Sequence, residues 1–546
     1  MVRASTLDRR TMLALAGLWA VATALNLFKP FHVDDAYYVA QAEWIAAHPD
    51  RPTSGLVFWD TDQPVPFHAT GNNPPLVPFV YAAVIRVLGP SELALHAVTS
   101  VFTALVVALF HRLAARHAPA HALALTTALV LGPAFVAEQN VMLEPALLTC
   151  WLAFFVAFGD GAEPSSWWRA AAIASVALLV KFTSVALLLF LVIEAARTGR
   201  AGRLAVLALP ASTLAAWSAW NLVEHGGAQV IDRPLALVAV VAGGSVGEAL
   251  ALLAARGALW VVVLGAIAPG LLVAPFVAHR CASRAVLLFA FALALLFAAG
   301  RLVVAWAAHE GPAILAQEPW LHTLLRGAFL LAGLAGLELA CRRVRAGDET
   351  DRRLATWLAS AAIVAVVGAP FAAARHVLLA LPPLLILVSR GATLRSGATR
   401  AMVAVTTVVG VLAAIADHRA ATLYAEAPDG LLAPHRADGG TTYFVGHWGF
   451  QRYATQAGLV PYVAGRTALA PADRLVVPIG VHRQPLAPED TARLGAVAEV
   501  VVPAGPLDVV RTLVDGEGLY CSWAGLPWSL RTDARERFVV LGLRGP

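Results

Sequence analysis

The chain has 546 residues, of which 59% are hydrophobic and 14% charged, and its mean hydropathy is +0.70. Soluble globular proteins are about half apolar and about a quarter charged, so the composition excludes a soluble enzyme and favours a polytopic membrane protein. The net charge of +5 reflects arginines that orient the chain in the membrane, and nucleic acid is not an expected partner. The four cysteines match no metal-binding spacing and no disulfide framework.

The first apolar run covers residues 11–31 and is long enough to cross a bilayer, which takes roughly 20 residues. We interpret it as a retained first helix and not as a cleaved signal peptide. About thirteen such spans are predicted. Their centres lie near residues 20, 102, 129, 153, 174, 190, 211, 266, 294, 330, 363, 383 and 408. The run 169–196 is interrupted by "LVKFTS", which predicts two short helices that meet at Lys181.

The distribution of arginine predicts the orientation, because short cytoplasmic loops are enriched in Arg and Lys. With a cytoplasmic N-terminus, arginines cluster in alternate loops, as in "CRRVRAGDETDRR", whereas the opposite loops contain isolated ones. The prediction is a multi-pass protein of the inner (plasma) membrane. Residues 1–416 form the membrane domain, with a first outer loop over 32–90, and residues 417–546 lie on the extracytoplasmic side.

The composition changes in the region 417–546, where short apolar runs lie between turn residues. "TTYFVG", "DRLVVPIG", "AEVVVPAG" and "RFVVLGL" predict strands. "WGFQRYATQAG" and "PLDVVRTLVDG" predict helices that end at glycine. The fold class is therefore a polytopic α-helical membrane protein with a small C-terminal α/β extracytoplasmic domain.

Two adjacent carboxylates, Asp34 and Asp35, follow the first span in "FHVDDAYYVAQAEW". One aspartate at this place is explained by capping of a helix over 35–47, which is worth about 1 kcal/mol. A second carboxylate beside it adds repulsion that a cap does not require, so the pair is a candidate catalytic site at the edge of the membrane.

Further ionisable residues are predicted on the same face of the membrane. Glu144 begins the fourth span before a proline, and Lys181 lies in the helix break. Arg375 and His376 occur in a short turn between two apolar runs. Helix capping for Glu144 and snorkelling for Arg375 remain alternatives. Ionisable groups buried at a membrane nevertheless indicate function.

Carboxylates can deprotonate a hydroxyl group or bind a divalent cation, and arginine and lysine bind phosphate. Their combination on one face predicts a substrate whose phosphate lies at the headgroup level and whose tail lies in lipid. An alcohol acceptor would approach from the aqueous side. A divalent cation held by Asp34 and Glu144 is left open as a cofactor.

Several motifs resemble the GT-C superfamily of polyprenyl-phosphate-sugar glycosyltransferases. Within it the chain is most similar to the branch of protein O-mannosyltransferases and lipid A aminoarabinose transferases, including bacterial family 39-type enzymes. The similar stretches, in chain order to about residue 390, are "VDDAYYVAQAEW", "GNNPPLVPFVYAAVIRVLGPSELALH", "NVMLEPALL", "LLVKFTSVALLL" and "ARHVLLALPPLLIL".

The resemblance implies a role for each matching residue. Asp34 corresponds to the catalytic acidic residue of the first outer loop and Asp35 to its acidic neighbour. Glu144 takes the second acidic position, where the family more often has Asp. Lys181 and Arg375 correspond to the bases near the lipid phosphate, and His376, next to Arg375, is predicted to bind the donor phosphate with them. Asn73 stands where the family often has Lys or His.

The predicted function is transfer of a sugar from a polyprenyl-phosphate donor to a hydroxyl acceptor, which can be a lipid, a glycan or a protein, with inversion at the anomeric carbon. The alternatives are a secondary transporter and a non-catalytic membrane anchor for the C-terminal domain. Transporters often show inverted repeats, and the sequence shows no detectable repeat.

Overall fold

The structure is a computed structural model. It describes residues 8–59, 61–70, 73–227, 245–273, 320–369, 371–390, 396–514, 517–521 and 526–544. The predicted span near residue 294 lies outside these ranges.

Helices dominate the described residues that precede residue 430. In chain order they are Arg9–Ala24, Asp35–Ala47, Phe67–Thr70, Leu76–Leu88, Glu92–His117, Ala122–Val130, Pro133–Val136, Glu144–Phe158, Pro164–Val180, Val185–Arg197, Ala208–His225, Val246–Ile267, Trp320–Ala346, Glu349–Gly368, Ala374–Leu378, Leu381–Arg390 and Ser396–Glu426. Two more follow, Trp448–Gln456 and Pro488–Arg493. The other twelve predicted span centres all fall on helices of this set.

Five of the described helices are long and apolar enough to cross a membrane. They are Glu92–His117, Ala201–His225 (including a 3₁₀ segment), Val246–Ile267, Leu324–Ala346 and Gly397–Glu426. Large apolar side chains on them face outward, among them Val101, Val223 and Val408. An outward apolar surface of this kind fits contact with lipid. The count of thirteen spans stays a prediction.

The predicted break at Lys181 is confirmed. One helix ends at Val180, Lys181 adopts an extended backbone conformation, and a 3₁₀ turn over Phe182–Ser184 leads into the helix that begins at Val185. The break places the lysine side chain at a helix end instead of on the surface of a continuous helix.

The strands are β1 Leu56–Val57, β2 Val65–Pro66, β3 Thr442–Phe444, β4 Val460–Pro461, β5 Arg474–Pro478, β6 Leu494–Val502, β7 Val510–Arg511, β8 Leu513–Val514, β9 Glu517–Gly518, β10 Ser529–Leu530 and β11 Glu536–Leu543. A five-stranded mixed sheet has the order β4-β3-β5-β11-β6. In it β3 is parallel to β4 and β5, and β11 is antiparallel to β5 and β6. The four strands predicted from the sequence are all in this sheet.

The helix predicted for "PLDVVRTLVDG", residues 506–516, is wrong. Its described part is a 3₁₀ turn, Pro506–Asp508, followed by the short strands β7 and β8. Strand β7 pairs with β10, and the Thr512 hydroxyl donates a hydrogen bond to Asp417. The segment is rich in β-branched residues, which have a lower helix propensity, and these tertiary partners favour the extended form.

The C-terminal region packs directly on the first outer loop. The predicted helix Trp448–Gln456 is confirmed, and it lies against the helix Asp35–Ala47. Arg452 forms an ion pair with Glu43 at 2.9 Å across this contact. The helix Ser396–Glu426 continues through the predicted domain boundary at 416/417.

Candidate active site

Asp34 occupies the N-cap position of the helix Asp35–Ala47, but its side chain makes no capping hydrogen bond. Its Oδ2 accepts a hydrogen bond of 2.6 Å from Nη1 of Arg375, and both side chains are about nine-tenths buried. The capping interpretation predicted a bond to the local backbone. The structure instead gives Asp34 a charged partner from a distant part of the chain.

The turn before Asp34 is strained. Val33 has φ of +46° and is buried. A β-branched residue rarely adopts this left-handed conformation, and such residues cost on the order of 1–3 kcal/mol each unless the surroundings impose the conformation. Backbone strain of this kind clusters at functional sites. The turn therefore sets the position of Asp34 at an energetic cost.

Asp35 has a different environment from Asp34. Its Oδ2 accepts a hydrogen bond of 2.8 Å from the backbone N–H of His32, and Oδ1 has no partner among the residues described. Burial raises the pKa of the Asp35 carboxyl to about 8, although the charge of Lys29 acts in the opposite direction. At neutral pH most Asp35 side chains hold a proton, which makes Asp34 the better candidate for a base.

Glu144 and Lys181 form the second half of the charge chain. Glu144 is in the first turn of the helix Glu144–Phe158, and Nζ of Lys181 donates a hydrogen bond of 2.6 Å to its Oε1. The same oxygen lies 3.9 Å from Nε of Arg375. Asp34, Arg375, Glu144 and Lys181 thus form a continuous alternation of negative and positive charge. The sequence predicted each member but not the pairing.

His376 is not part of this chain of ion pairs. Its Nδ1 lies 2.9 Å from the carbonyl oxygen of Phe371, and its side chain lines two adjoining cavities. A ring nitrogen that faces a carbonyl oxygen is a hydrogen-bond donor, which fixes the tautomer of a neutral imidazole. His376 lies in the wall of both cavities, and no described interaction joins it to Asp34.

One of these two cavities adjoins the charged groups. Lys181, Arg375 and His376 lie in its wall, and most of the remaining wall is apolar, with Leu147, Trp151, Ala186, Ala361, Val364 and Leu379 among the residues lining it. An apolar wall with a few convergent cationic groups is the usual form of a site for an amphiphilic anion.

Sequence reasoning missed Arg256, which lines the second cavity with Trp260 and His376. Arg256 is 9% exposed and forms no ion pair among the residues described. A single arginine within an apolar helical run was the available signal. The sequence places Glu138 at the outer end of the third span but gives it no role; it is 1% exposed, and its two carboxylate oxygens have no hydrogen-bond partner in the described part of the chain.

A second buried network was also missed. It is centred on Asp417, whose Oδ2 accepts hydrogen bonds from Lys29 at 3.0 Å and from the Tyr520 hydroxyl at 2.7 Å. Its Oδ1 lies 3.6 Å from Nε2 of His32. The residues of this network lie up to almost 500 positions apart in the sequence, and no local sequence pattern indicates that they are in contact.

The residues proposed for a divalent cation do not fit one in this arrangement. The guanidinium of Arg375 lies between the carboxylates of Asp34 and Glu144, where a shared cation would have to bind. Within the described ranges, no group of three or more His, Cys, Asp or Glu side chains is arranged to hold a metal ion.

No protein-family model matches the chain, and no curated protein matches it either. Two solved structures are similar to it along nearly its whole length. ArnT from Cupriavidus metallidurans in the apo state is 15% identical, covers 98% of this chain and 99% of its own, and gives a TM-score of 0.40. The same protein bound to undecaprenyl phosphate is 16% identical, covers 99% and 100%, and gives a TM-score of 0.39.

At this identity and TM-score, the similarity assigns no activity or residue role to this protein. The functional conclusion therefore depends on the geometry of the site.

Proposed function

We propose that this protein is a membrane glycosyltransferase that moves a sugar from a polyprenyl-phosphate donor to a hydroxyl acceptor on the extracytoplasmic face. One observation carries the proposal. The alternating charges of Asp34, Arg375, Glu144 and Lys181 lie beside a cavity whose wall is otherwise largely apolar. This combination matches a ligand with a phosphate head and a hydrocarbon tail.

The donor phosphate would bind at the two cations. Arg375 presents a planar guanidinium that suits phosphate oxygens, and Lys181 adds a compact charge on the opposite side of Glu144. The prenyl chain would lie along the apolar wall that includes Leu147 and Val364. Two cations at one headgroup also stabilise the negative charge that develops on the leaving phosphate.

Asp34 would act as the general base. It removes the proton from the acceptor hydroxyl while that oxygen forms a bond to the anomeric carbon of the sugar. The bond between the anomeric carbon and the phosphate oxygen breaks in the same step, and polyprenyl phosphate leaves with the electron pair. A single displacement inverts the configuration at this carbon. Because the departing polyprenyl phosphate, a phosphate monoester, is a weak base and a good leaving group, no strong general acid is required.

Asp35 and Glu144 have supporting roles in this mechanism. Asp35 accepts the hydrogen bond from the His32 backbone and so holds the turn that carries Asp34. Glu144 bridges Arg375 and Lys181, which fixes the two cations relative to each other in the absence of donor. His376 lines the same cavity without a charge partner in the described part of the chain, and shapes its wall.

The extracytoplasmic location of the reaction rests on the asymmetric distribution of arginine between the loops. With a cytoplasmic N-terminus, the first outer loop and the helix break at Lys181 lie on the same side. A lipid-linked donor and a water-side acceptor can meet there, at the surface of the inner membrane. The acceptor class remains a lipid, a glycan or a protein with a free hydroxyl group.

A transport assay in parallel with a transfer assay distinguishes the enzyme from its two rivals. Proteoliposomes from bacterial lipid extract are supplied with radiolabelled undecaprenyl-phosphate-aminoarabinose or undecaprenyl-phosphate-mannose. Loss of label from the donor phosphate, abolished by Asp34→Asn, is the expected result. Uptake of free sugar without cleavage of the donor would favour a transporter. If the protein shows no transfer and no transport with either donor, a membrane anchor is favoured.

A further inference from the structure

The strained turn over residues 31–34 is held by side chains of the C-terminal region. Val33 keeps φ of +46° although a β-branched residue disfavours this conformation. Such a conformation persists only when the surrounding contacts impose it. The contacts that impose it therefore also determine where the carboxylate of Asp34 lies.

The first contact comes from the helix Trp448–Gln456. The Tyr453 hydroxyl accepts a hydrogen bond of 2.7 Å from the backbone N–H of Phe31 and donates one to Glu92. One turn earlier, a Cβ on Gly449 would lie 2.4 Å from the carbonyl oxygen of Phe31, so only glycine allows this approach. The helix thus fixes the residue at which the strained turn begins.

The second contact comes from the segment 517–521. The Tyr520 hydroxyl donates a hydrogen bond of 2.7 Å to Asp417 and accepts one from Asn140. Asp417 in turn faces Nε2 of His32, whose backbone N–H binds Asp35. The Tyr520 ring also packs edge-on against the His32 ring, with centroids 5.7 Å apart.

The same segment contacts the element that carries the arginine. The carbonyl oxygen of Leu519 accepts a hydrogen bond of 3.0 Å from the backbone N–H of Ala374, the residue before Arg375. One short segment of the C-terminal region therefore contacts both sides of the Asp34–Arg375 pair. Tyr453 and Tyr520 are distant in sequence from Asp34 and Arg375, so these contacts depend on the tertiary fold.

We infer that Tyr453 and Tyr520 are positioning residues for the transfer reaction, and that the C-terminal region completes the active site by holding Asp34 against the acceptor. The inference rests on the function proposed above. It assigns the C-terminal region a role in turnover. The alternative is that this region is a separate domain which the membrane part only anchors. The hydroxyl groups act through the turn and do not contact the reacting atoms.

Tyr462 supplies a matched control. Its hydroxyl donates a hydrogen bond of 2.6 Å to Asp490 and accepts one of 3.1 Å from the backbone N–H of Ala487. This is the same pattern of one carboxylate acceptor and one N–H donor, and the ring belongs to a separate apolar cluster of the C-terminal region. Tyr→Phe substitutions at 453, 462 and 520 therefore remove equivalent bonds at different places.

The experiment measures kcat, donor KM and thermal stability for the three variants in proteoliposomes, with the radiolabelled undecaprenyl-phosphate sugars as probes. Y453F and Y520F should lower kcat about tenfold while KM stays within about threefold, because the base moves and the phosphate site does not. Y462F should lose similar stability and keep kcat. In an Asp34→Asn background, Y520F should have no further effect on the residual rate.

If Y520F fails to fold, Thr512→Val is the second variant, because it removes the 2.9 Å bond from Thr512 to Asp417 and keeps the side-chain shape. Equal kcat for Y453F, Y520F and Y462F would overturn the inference, provided that Asp34→Asn still abolishes turnover. Full turnover in Asp34→Asn would instead overturn the proposed function itself. If Y520F lowers the residual rate of the Asp34→Asn variant further, Tyr520 does not act by positioning Asp34.

Discussion

Arg375 donates a 2.6 Å hydrogen bond to Asp34 across 341 residues of sequence, within a region where both side chains are about nine-tenths buried. A buried carboxylate or guanidinium is costly unless it is paired, so the two residues stabilise each other. The pair joins the first outer loop to the short turn near the end of the membrane region, and its arginine lies in the wall of the cavity proposed to bind a lipid phosphate.

Asp34→Asn is expected to lower turnover by about 100-fold or more, the usual contribution of a general base. Asparagine keeps the size of the side chain but removes the charge that pairs with Arg375, so a loss of stability is expected, and turnover is compared at a temperature where the variant remains folded. The measurement is release of label from a radiolabelled polyprenyl-phosphate sugar. Asp50→Asn is the control, since Asp50 is in the same loop and its side chain is 77% exposed. Near-normal turnover would remove Asp34 from the mechanism.

Arg375→Lys is expected to weaken donor binding roughly ten- to a hundredfold, and Arg375→Ala should be worse. The guanidinium reaches Asp34 through Nη1 and approaches Glu144 through Nε, and a lysine ammonium cannot do both. Binding of undecaprenyl phosphate in nanodiscs is the measurement. Arg51→Lys, at a side chain that is 67% exposed, should change nothing. If Arg375 only snorkels, lysine will replace it without loss.

Removal of one member of the Glu144–Lys181 pair is expected to destabilise the protein. Lys181→Met leaves Glu144 buried with only the more distant Arg375, and breaking such a pair costs about 3–5 kcal/mol. The double variant with Glu144→Gln should be less destabilised than the sum of the two single variants. Thermal unfolding in detergent measures this. An additive result would mean that the two side chains do not interact in the folded protein.

A matched comparison for this pair is the exposed ion pair of Arg342 and Glu338, which is worth at most about 1 kcal/mol. Arg342→Met should therefore leave the unfolding temperature almost unchanged. A loss as large as that of Lys181→Met would show that the assay responds to charge removal in general and not to burial.

The stability of the protein should depend on pH through Asp35. Its pKa is about 8 in the folded state because of burial and about 4 in an unfolded chain, so the folded state holds the proton more tightly. Its contribution to stability is fully present below about pH 4 and is lost as the pH rises through about 8. Asp35→Asn mimics the protonated acid, so the advantage of this variant over wild type should grow from pH 5 to pH 9.

Unfolding temperatures of wild type and Asp35→Asn at several pH values in this range measure the effect. Asp62→Asn provides the control, because Asp62 is an exposed carboxylate of the same outer loop. A constant difference between wild type and Asp35→Asn at all pH values would show that Asp35 does not titrate in this window.

Reporter fusions test the predicted orientation. An insertion after Asp62 or after Gly439 should show extracytoplasmic activity, and one after Arg345 should show cytoplasmic activity. Asp62 is exposed, whereas Gly55 lies against the Trp44 ring and would not tolerate an insertion. Gly439 is beyond the helix that ends at Glu426. A cytoplasmic signal at Gly439 would mean that the number of spans is even.

The sequence by itself determined the local elements. Long apolar runs specify helices because each run must satisfy its own backbone hydrogen bonds in lipid. The interruption at Lys181 and the strand patterns of β3, β5, β6 and β11 were also readable, since each depends on neighbouring residues only. Asp34, Asp35, Glu144, Lys181 and Arg375 could be selected because charge is rare in such a chain.

Only the tertiary structure decided which of these charges meet. The pairs Asp34–Arg375 and His32–Asp417 join distant parts of the chain, and periodicity carries no information about such contacts. The region 506–514 shows the same limit, because its strand pairing with residues 529–530 overrides the helical pattern. Burial makes each of these groups depend on its partner, and the partner is chosen by packing of the whole chain.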